Sequence, residues 1–274
     1  MSPFNRCGLA SRDDLETVEW KNLFSELEQA QKEFAETFDA RRSPEYVCKK
    51  LPLYDFSRCW EYPYVYDNLN RLFSDPTKIH IVDHGCGVTF FPFHLMKKGY
   101  SVIGVDIDPV TEDDFSKALR FFTDLNGKGT FKKVTNNILP FPDSSIDALY
   151  SISVLEHIPD PHNAIIEIAR ILKKKGKFIL TMDIDLVGNL ELSPQKLKSI
   201  MAEINSHFNI IAPETTIHPK NLITTKNSPY PFIINQTLFK KVTRPFWEFI
   251  KPLLGKPKAV FPIVSVCGYV LKKK

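Results

Sequence analysis

The stretch from Ile79 to Pro109, IHIVDHGCGVTFFPFHLMKKGYSVIGVDIDP, constrains the fold more than any other part of the chain. It reads in turn as a β-rich run, a glycine turn, an apolar helical run, a second strand and an acid. Glycine is needed where backbone bends sharply or approaches a ligand with no Cβ in between. Gly85 and Gly87 follow the first strand directly, and Asp106 ends the second, 19 residues beyond Gly87. An acid at that place can accept hydrogen bonds from the two hydroxyls of a ribose. The dinucleotide pattern G-x-G-x-x-G is incomplete, because Phe90 holds its last position. That glycine normally packs the helix close beside a pyrophosphate, so its absence argues against NAD or FAD. A ligand without phosphate has less use for a helix N-terminus. Asp83 is placed to orient the loop or to meet a cationic group through water, and His84 reads as a packing or hydrogen-bonding residue near it.

The rhythm that starts at residue 79 continues. Strands are expected at 79–83, 101–106, 130–135, 146–152 and 177–183, and helices at 90–98, 111–125, 161–173 and 194–206. A further strand is expected at 208–212. Strands separated by helices imply right-handed crossovers and a parallel sheet. In VLKKKGKFILTM the lysines are expected to end a helix and Gly176 to turn the chain into the next strand. The terminal run PIVSVCGYVLKKK reads as a strand with no helix close before it, able to add antiparallel to the sheet. Upstream, apolar residues at Leu15, Val18, Leu23, Leu27, Phe34 and Phe38 fit an amphipathic helix over 13–40. RRSPEY breaks it, and CWEYPYVYDNLNRLF follows, helical in its later part. Residues 1–76 are thus expected to be a helical extension or lid, and 77–274 the α/β domain.

Composition excludes several classes. With 36 basic and 32 acidic residues the formal charge is +4, too weak a bias to argue for nucleic acid. Five cysteines stand at 7, 48, 59, 86 and 267 with no zinc-ligand spacing, so no metal is expected. Their odd, scattered placement suggests reduced thiols and a cytoplasmic protein. No secretion signal and no membrane span are read. Oligomeric state is not legible in the sequence.

VDHGCGVTFFPFHLMKKGYSVIGVDID resembles motif I and the acidic strand of class I S-adenosylmethionine-dependent methyltransferases. NNILPFPDSSIDALYSISVLEHIPDPHNAIIEIARILKKKGKFILTMD resembles the later motifs of their small-molecule, type 11-like branch. The resemblance covers about 79–185. It implies a doubly wound, Rossmann-like, mostly parallel seven-stranded sheet whose last strand is antiparallel, carrying S-adenosylmethionine. It places Asp83, Gly85 and Gly87 along the methionine part of the cofactor, with Cys86 between the glycines also counted as cofactor-binding, Asp106 at the ribose and Ile107 on the adenine. Asn136, Asn137 and Ile138 flank the adenine, and Ser153 and Val154 pass under the sulfonium side. Three positions depart from the family pattern: Thr89 for a loop glycine, an asparagine for the acid facing the adenine amine, and LKKKGK for LKPGG. An asparagine carbonyl can still accept from an amine.

The function expected is transfer of a methyl group to an oxygen or nitrogen of a small-molecule acceptor. A nicotinamide-dependent oxidoreductase and a non-catalytic nucleoside-binding module are the alternatives. No general base is legible; His157 in VLEH is the weak candidate, with scaffold work beside the cofactor as its other role. Residues 217–260 are expected to form a cap-like insertion. The acceptor is expected near Trp60 and Tyr62 on one side and Phe246 and Trp247 of this insertion on the other.

Overall fold

The computed structural model describes residues 2–46, 51–125, 127–187, 192–231 and 263–274. The strands are β1 (Gly8–Leu9), β2 (His80–His84), β3 (Ser101–Asp106), β4 (Gly129–Lys133), β5 (Ile146–Ile152), β6 (Leu172–Asp185), β7 (Phe208–Ile210) and β8 (Val264–Lys273). They form one eight-stranded sheet in the order β1-β8-β6-β5-β2-β3-β4, with β7 also pairing β8. Strands β4, β3, β2, β5 and β6 run parallel, while β8 lies antiparallel against β6 from Lys177↔Lys272 to Asp185↔Val264.

The expected seven strands are therefore joined by an eighth. β7 covers only the end of β8 near Lys272, and β1 covers it at Gly8↔Gly268 and Leu9↔Cys267. Two short segments far apart in the sequence thus share one edge, which leaves less of β8 open to unwanted pairing. Cys7 N–H donates to Pro213 O and Thr215 N–H to Cys7 O, so the two segments are also tied to each other.

The helices are α1 (Val18–Phe38), α2 (Arg58–Leu72), α3 (Phe90–Lys97), α4 (Pro109–Phe121), α5 (Pro161–Ile171) and α6 (Pro194–His207). The expected helix over 13–40 is split. A 3-10 turn spans Arg12–Glu16, and Thr17 then caps α1 by accepting from Trp20 N–H at 3.1 Å. α2 is helical from Arg58 onward, with Pro63 inside it. β6 starts at Leu172, ahead of the expected 177. Its pairing with β5 jumps from Ile146↔Leu172 to Ala148↔Lys177, so the lysine run bulges from the edge of the ladder. Lys175, and not Gly176, takes the positive φ of 67°.

Packing joins the N-terminal helices to the sheet. Phe34 of α1 stacks on Phe122 at 5.4 Å and meets Phe93 of α3 at 4.8 Å. On α2, Trp60 and Tyr64 stack at 4.5 Å and are fully buried. They lie flat on β8 because Gly268 has no side chain there. A Cβ at that position would stand 2.7 Å from the Tyr64 ring. Trp60 Nε1 donates to Asp14, which also takes Arg6 at 2.6 Å.

Candidate functional site

Strand order reverses at β2, which has β3 on one side and β5 on the other. In open α/β sheets the crevice at such a point, beyond the carboxyl ends of the strands, is where ligands bind. Here it is a cavity of about 260 Å³ lined by residues from the ends of β2, β3 and β5 and from the turn after β4, among them Gly85, Asp106, Ile107, Asn137, Ser153 and Val154.

The turn after β2 is held from two sides. Gly85 and Cys86 N–H donate to Val105 O, and Gly87 N–H donates to Asp106 Oδ2 at 3.1 Å. Asp106 Oδ1 accepts from Ile107 and Asp108 N–H at 2.7 and 3.1 Å. Each carboxylate oxygen accepts along two lone pairs, so Oδ2 keeps room for a further donor. Gly85 and Gly87 take φ of +71° and +50°. A Cβ on Gly85 would stand 2.5 Å from Val154, so this glycine is required by both angle and space. Cys86 points the other way, toward Gly104 under the sheet, where its sulfur lies 2.9 Å from the Cβ that Gly104 lacks. Arg42 donates to Val88 O at 2.6 Å, and the Tyr46 hydroxyl accepts from Val88 N–H at 2.9 Å. These two residues clamp the turn and were missed in the sequence, where RRSPEY reads only as a helix break.

Asn136 and Asn137 both take left-handed φ, 54° and 59°, in a tight turn closed by Ile138 N–H to Thr135 O. Asparagine tolerates that conformation. Asn137 lines the cavity, whereas Asn136 and Ile138 stand beside it. Ile107 and Ile138 are 68% and 57% exposed, two large apolar side chains left uncovered at the mouth. Ser153 also takes a positive φ, 46°, unusual for a residue with a side chain. Its hydroxyl donates to Glu61 on α2 at 2.7 Å.

Asp83 is buried, and desolvation pushes its carboxyl up to about 8, with the Tyr150 hydroxyl pulling the other way. His84 is held neutral by burial, with its pKa down to about 4, and its Nδ1 meets the Ser151 hydroxyl at 3.2 Å. His157 is exposed and lines the cavity. Tyr62 is buried against Phe90 and Phe91. Trp60 does not reach the cavity, since it lies beneath α2 on β8. Phe246 and Trp247 lie outside the described residues, as do 232–260 of the expected cap. Its described beginning packs Tyr230 on Phe24 and Tyr54 at 5.7 and 5.6 Å. No helix among the described residues is long and apolar enough to cross a membrane.

A doubly wound sheet with an antiparallel strand next to its edge, a glycine turn after β2 and an acid ending β3 define the class I methyltransferase fold. Residues 82–180 match the family model described as a methyltransferase domain. An uncharacterised methyltransferase of Mycobacterium tuberculosis is 33% identical over 101 residues, 37% of this chain and 38% of that protein. The sterol 4-C-methyltransferase of Caenorhabditis elegans is 31% identical over 104 residues, 37% of this chain and 30% of that one. The aligned region thus spans less than two fifths of these curated relatives. Among solved structures, a candidate sarcosine dimethylglycine methyltransferase from Galdieria sulphuraria superposes with a TM-score of 0.53 at 16% identity, covering 77% of this chain and 83% of that one. The [4+2]-cyclase SpnF does so with 0.51 at 18% identity, covering 76% and 81%.

Proposed function

We propose that the chain binds S-adenosylmethionine in the β2–β3–β5 cavity and transfers its methyl group to an oxygen or nitrogen of a small-molecule acceptor. The observation that carries this reading is Asp106. Its carboxylate is fixed by three backbone N–H groups at the cavity mouth, with one oxygen able to take a ribose hydroxyl. The residues fit the rest of the cofactor. Ile107 and Ile138 offer apolar surface to an adenine, Asn137 a carbonyl to its amine, and Asp83 a buried acid near the methionine end. Cys86 contributes backbone alone, since its sulfur lies under the sheet.

A bound sulfonium supplies an already activated methyl group. The protein's work is alignment and exclusion of water. Ser153, strained and anchored to Glu61, sets the wall between the cavity and the interior behind α2. Gly85 leaves Val154 room to form the adjoining surface. His157 stands at the open side and is assigned to scaffold work. The fold also serves a [4+2]-cyclase, so fold alone does not set the reaction. Phe90 and the antiparallel β8 speak against a nicotinamide cofactor. The four described cysteines are unpaired and buried, which suits a reducing, cytoplasmic setting. Transfer of label from methyl-labelled S-adenosylmethionine into a small-molecule extract tests the proposal. Label confined to protein or nucleic acid would refute it.

A further inference from the structure

Behind Ser153 lies a cluster that the cofactor reading does not use. Arg58 and Glu61 of α2, Glu156 just after β5, and Asp183 near the end of β6 meet there, three carboxylates against one guanidinium. Glu61 is fully buried and satisfied: one oxygen takes Ser153 Oγ and the other takes Arg58. The other two carboxylates are not. Glu156 Oε1 accepts Asp183 N–H at 2.7 Å, but Oε2 has no hydrogen-bond partner, although the residue is only 9% exposed. Asp183 Oδ1 is likewise buried and unpartnered, and so is the Thr181 hydroxyl on the same strand.

Unpaired buried acceptors are costly, and buried charges are normally paired. Arg58 is already committed to Glu61, so it leaves an excess of negative charge. Burial accordingly raises the carboxyls of both Glu156, to about 7, and Asp183, against the pull of Arg58 on Asp183 and of His157 on Glu156. The cluster is not sealed. Arg58 keeps 22% of its side-chain surface open, and Asp183 is part-open. Among the described residues no group of acids is arranged to hold a metal ion. What complements several separated, unpaired carboxylate oxygens is a cation with divergent N–H donors.

We propose that Glu156 and Asp183, backed by the Arg58–Glu61 pair, receive a protonated amine carried by the methyl acceptor. The proposal rests on the methyltransferase reading, because Ser153 is the wall common to the cofactor cavity and this cluster. It assigns the acceptor's charge and leaves open which of its atoms takes the methyl group.

The test uses the full chain saturated with S-adenosylhomocysteine and reads the side-chain carboxyl ¹³C resonances. The probe is n-propylammonium and the neutral control is n-propanol. Glu156 and Asp183 are expected to shift saturably with propylammonium, at a concentration at least about tenfold below that at which propanol acts. Asp183→Asn should abolish the response while S-adenosylhomocysteine binds within about twofold of wild type. Glu156→Gln serves the same comparison should the first variant not fold. Absence of a shift, an equal response to propanol, or an unchanged response in the variants would overturn the proposal. Failure of S-adenosylhomocysteine to bind would instead refute the cofactor reading, and the propylammonium titration of the protein alone would still judge the cluster.

Discussion

Asp106 and Asp183 each stand near the carboxyl end of a strand in the same sheet, and they live under opposite conditions. Asp106 is part-buried and accepts three backbone N–H groups. Asp183 has one oxygen with no partner and neighbours two other acids. Backbone donors come with the local fold: once the Gly85–Gly87 turn forms, the N–H groups around Asp106 are already aimed. The partners of Asp183 come from α2, β5 and β6, and the set they make is short of donors. The first environment is complete before a ligand arrives, and the second asks for one.

Breaking the turn should have the largest effect. Gly85→Val forces a side chain onto φ +71° and into Val154, 2.5 Å away. It is expected to abolish S-adenosylhomocysteine binding in calorimetry. A variant that folds and binds normally would reduce the turn to a mere connection. Next comes the support behind the acid cluster. Trp60→Ala opens a cavity under α2 and removes one of three donors to Asp14, which keeps Arg6 and Ser11 N–H, at an expected cost of about 3–5 kcal/mol in urea unfolding. A cost below about 1 kcal/mol would mean that α2 is not seated on β8 as described.

How much of this was legible beforehand follows the same divide. The turn, Asp106 and the β2–β3 unit could be read because their spacing is local and the chemistry of glycine is specific. The alternation from residue 79 gave the parallel sheet for the same reason. The shared edge strand was hidden: two residues at Gly8–Leu9 carry no periodicity, and their pairing with β8 is set more than 250 residues away. The Arg42 and Tyr46 clamp was hidden because it acts on backbone atoms of a distant loop. The acid cluster was invisible in part because Glu61 sits in an aromatic helix that reads as packing, and Asp183 in an apolar strand.

Glu156 offers a sharper test of the second environment. Its carboxyl has an ordinary value of 4.5 and is raised to about 7 in the fold by burial. The folded state therefore holds an extra proton between these values, and stability falls as pH rises through that window. Glu156→Gln removes the effect. The wild-type unfolding free energy minus that of the variant should decline by on the order of 3 kcal/mol from about pH 4.5 to about pH 7. A flat difference would mean that the fold does not raise the Glu156 carboxyl above its ordinary value. The smallest effect is expected at His157, exposed at the cavity mouth. His157→Ala should alter S-adenosylhomocysteine affinity by no more than about twofold, the scale of a surface change near 0.5 kcal/mol. A loss of a hundredfold or more would make it a cofactor contact.

The central claim is that Asp106 presents a fixed carboxylate to the ribose of S-adenosylmethionine. Calorimetric titration of the wild type and Asp106→Ala with S-adenosylhomocysteine, and of the wild type with NAD, tests it most directly. A hydrogen bond to a charged group is worth about 1.5–3 kcal/mol, so each one lost should weaken binding roughly 10- to 100-fold. The account predicts that S-adenosylhomocysteine binds the wild type, that Asp106→Ala weakens it by at least about tenfold with the fold intact, and that NAD gives no heat. An unchanged dissociation constant in the variant, or binding of NAD in preference, would contradict it.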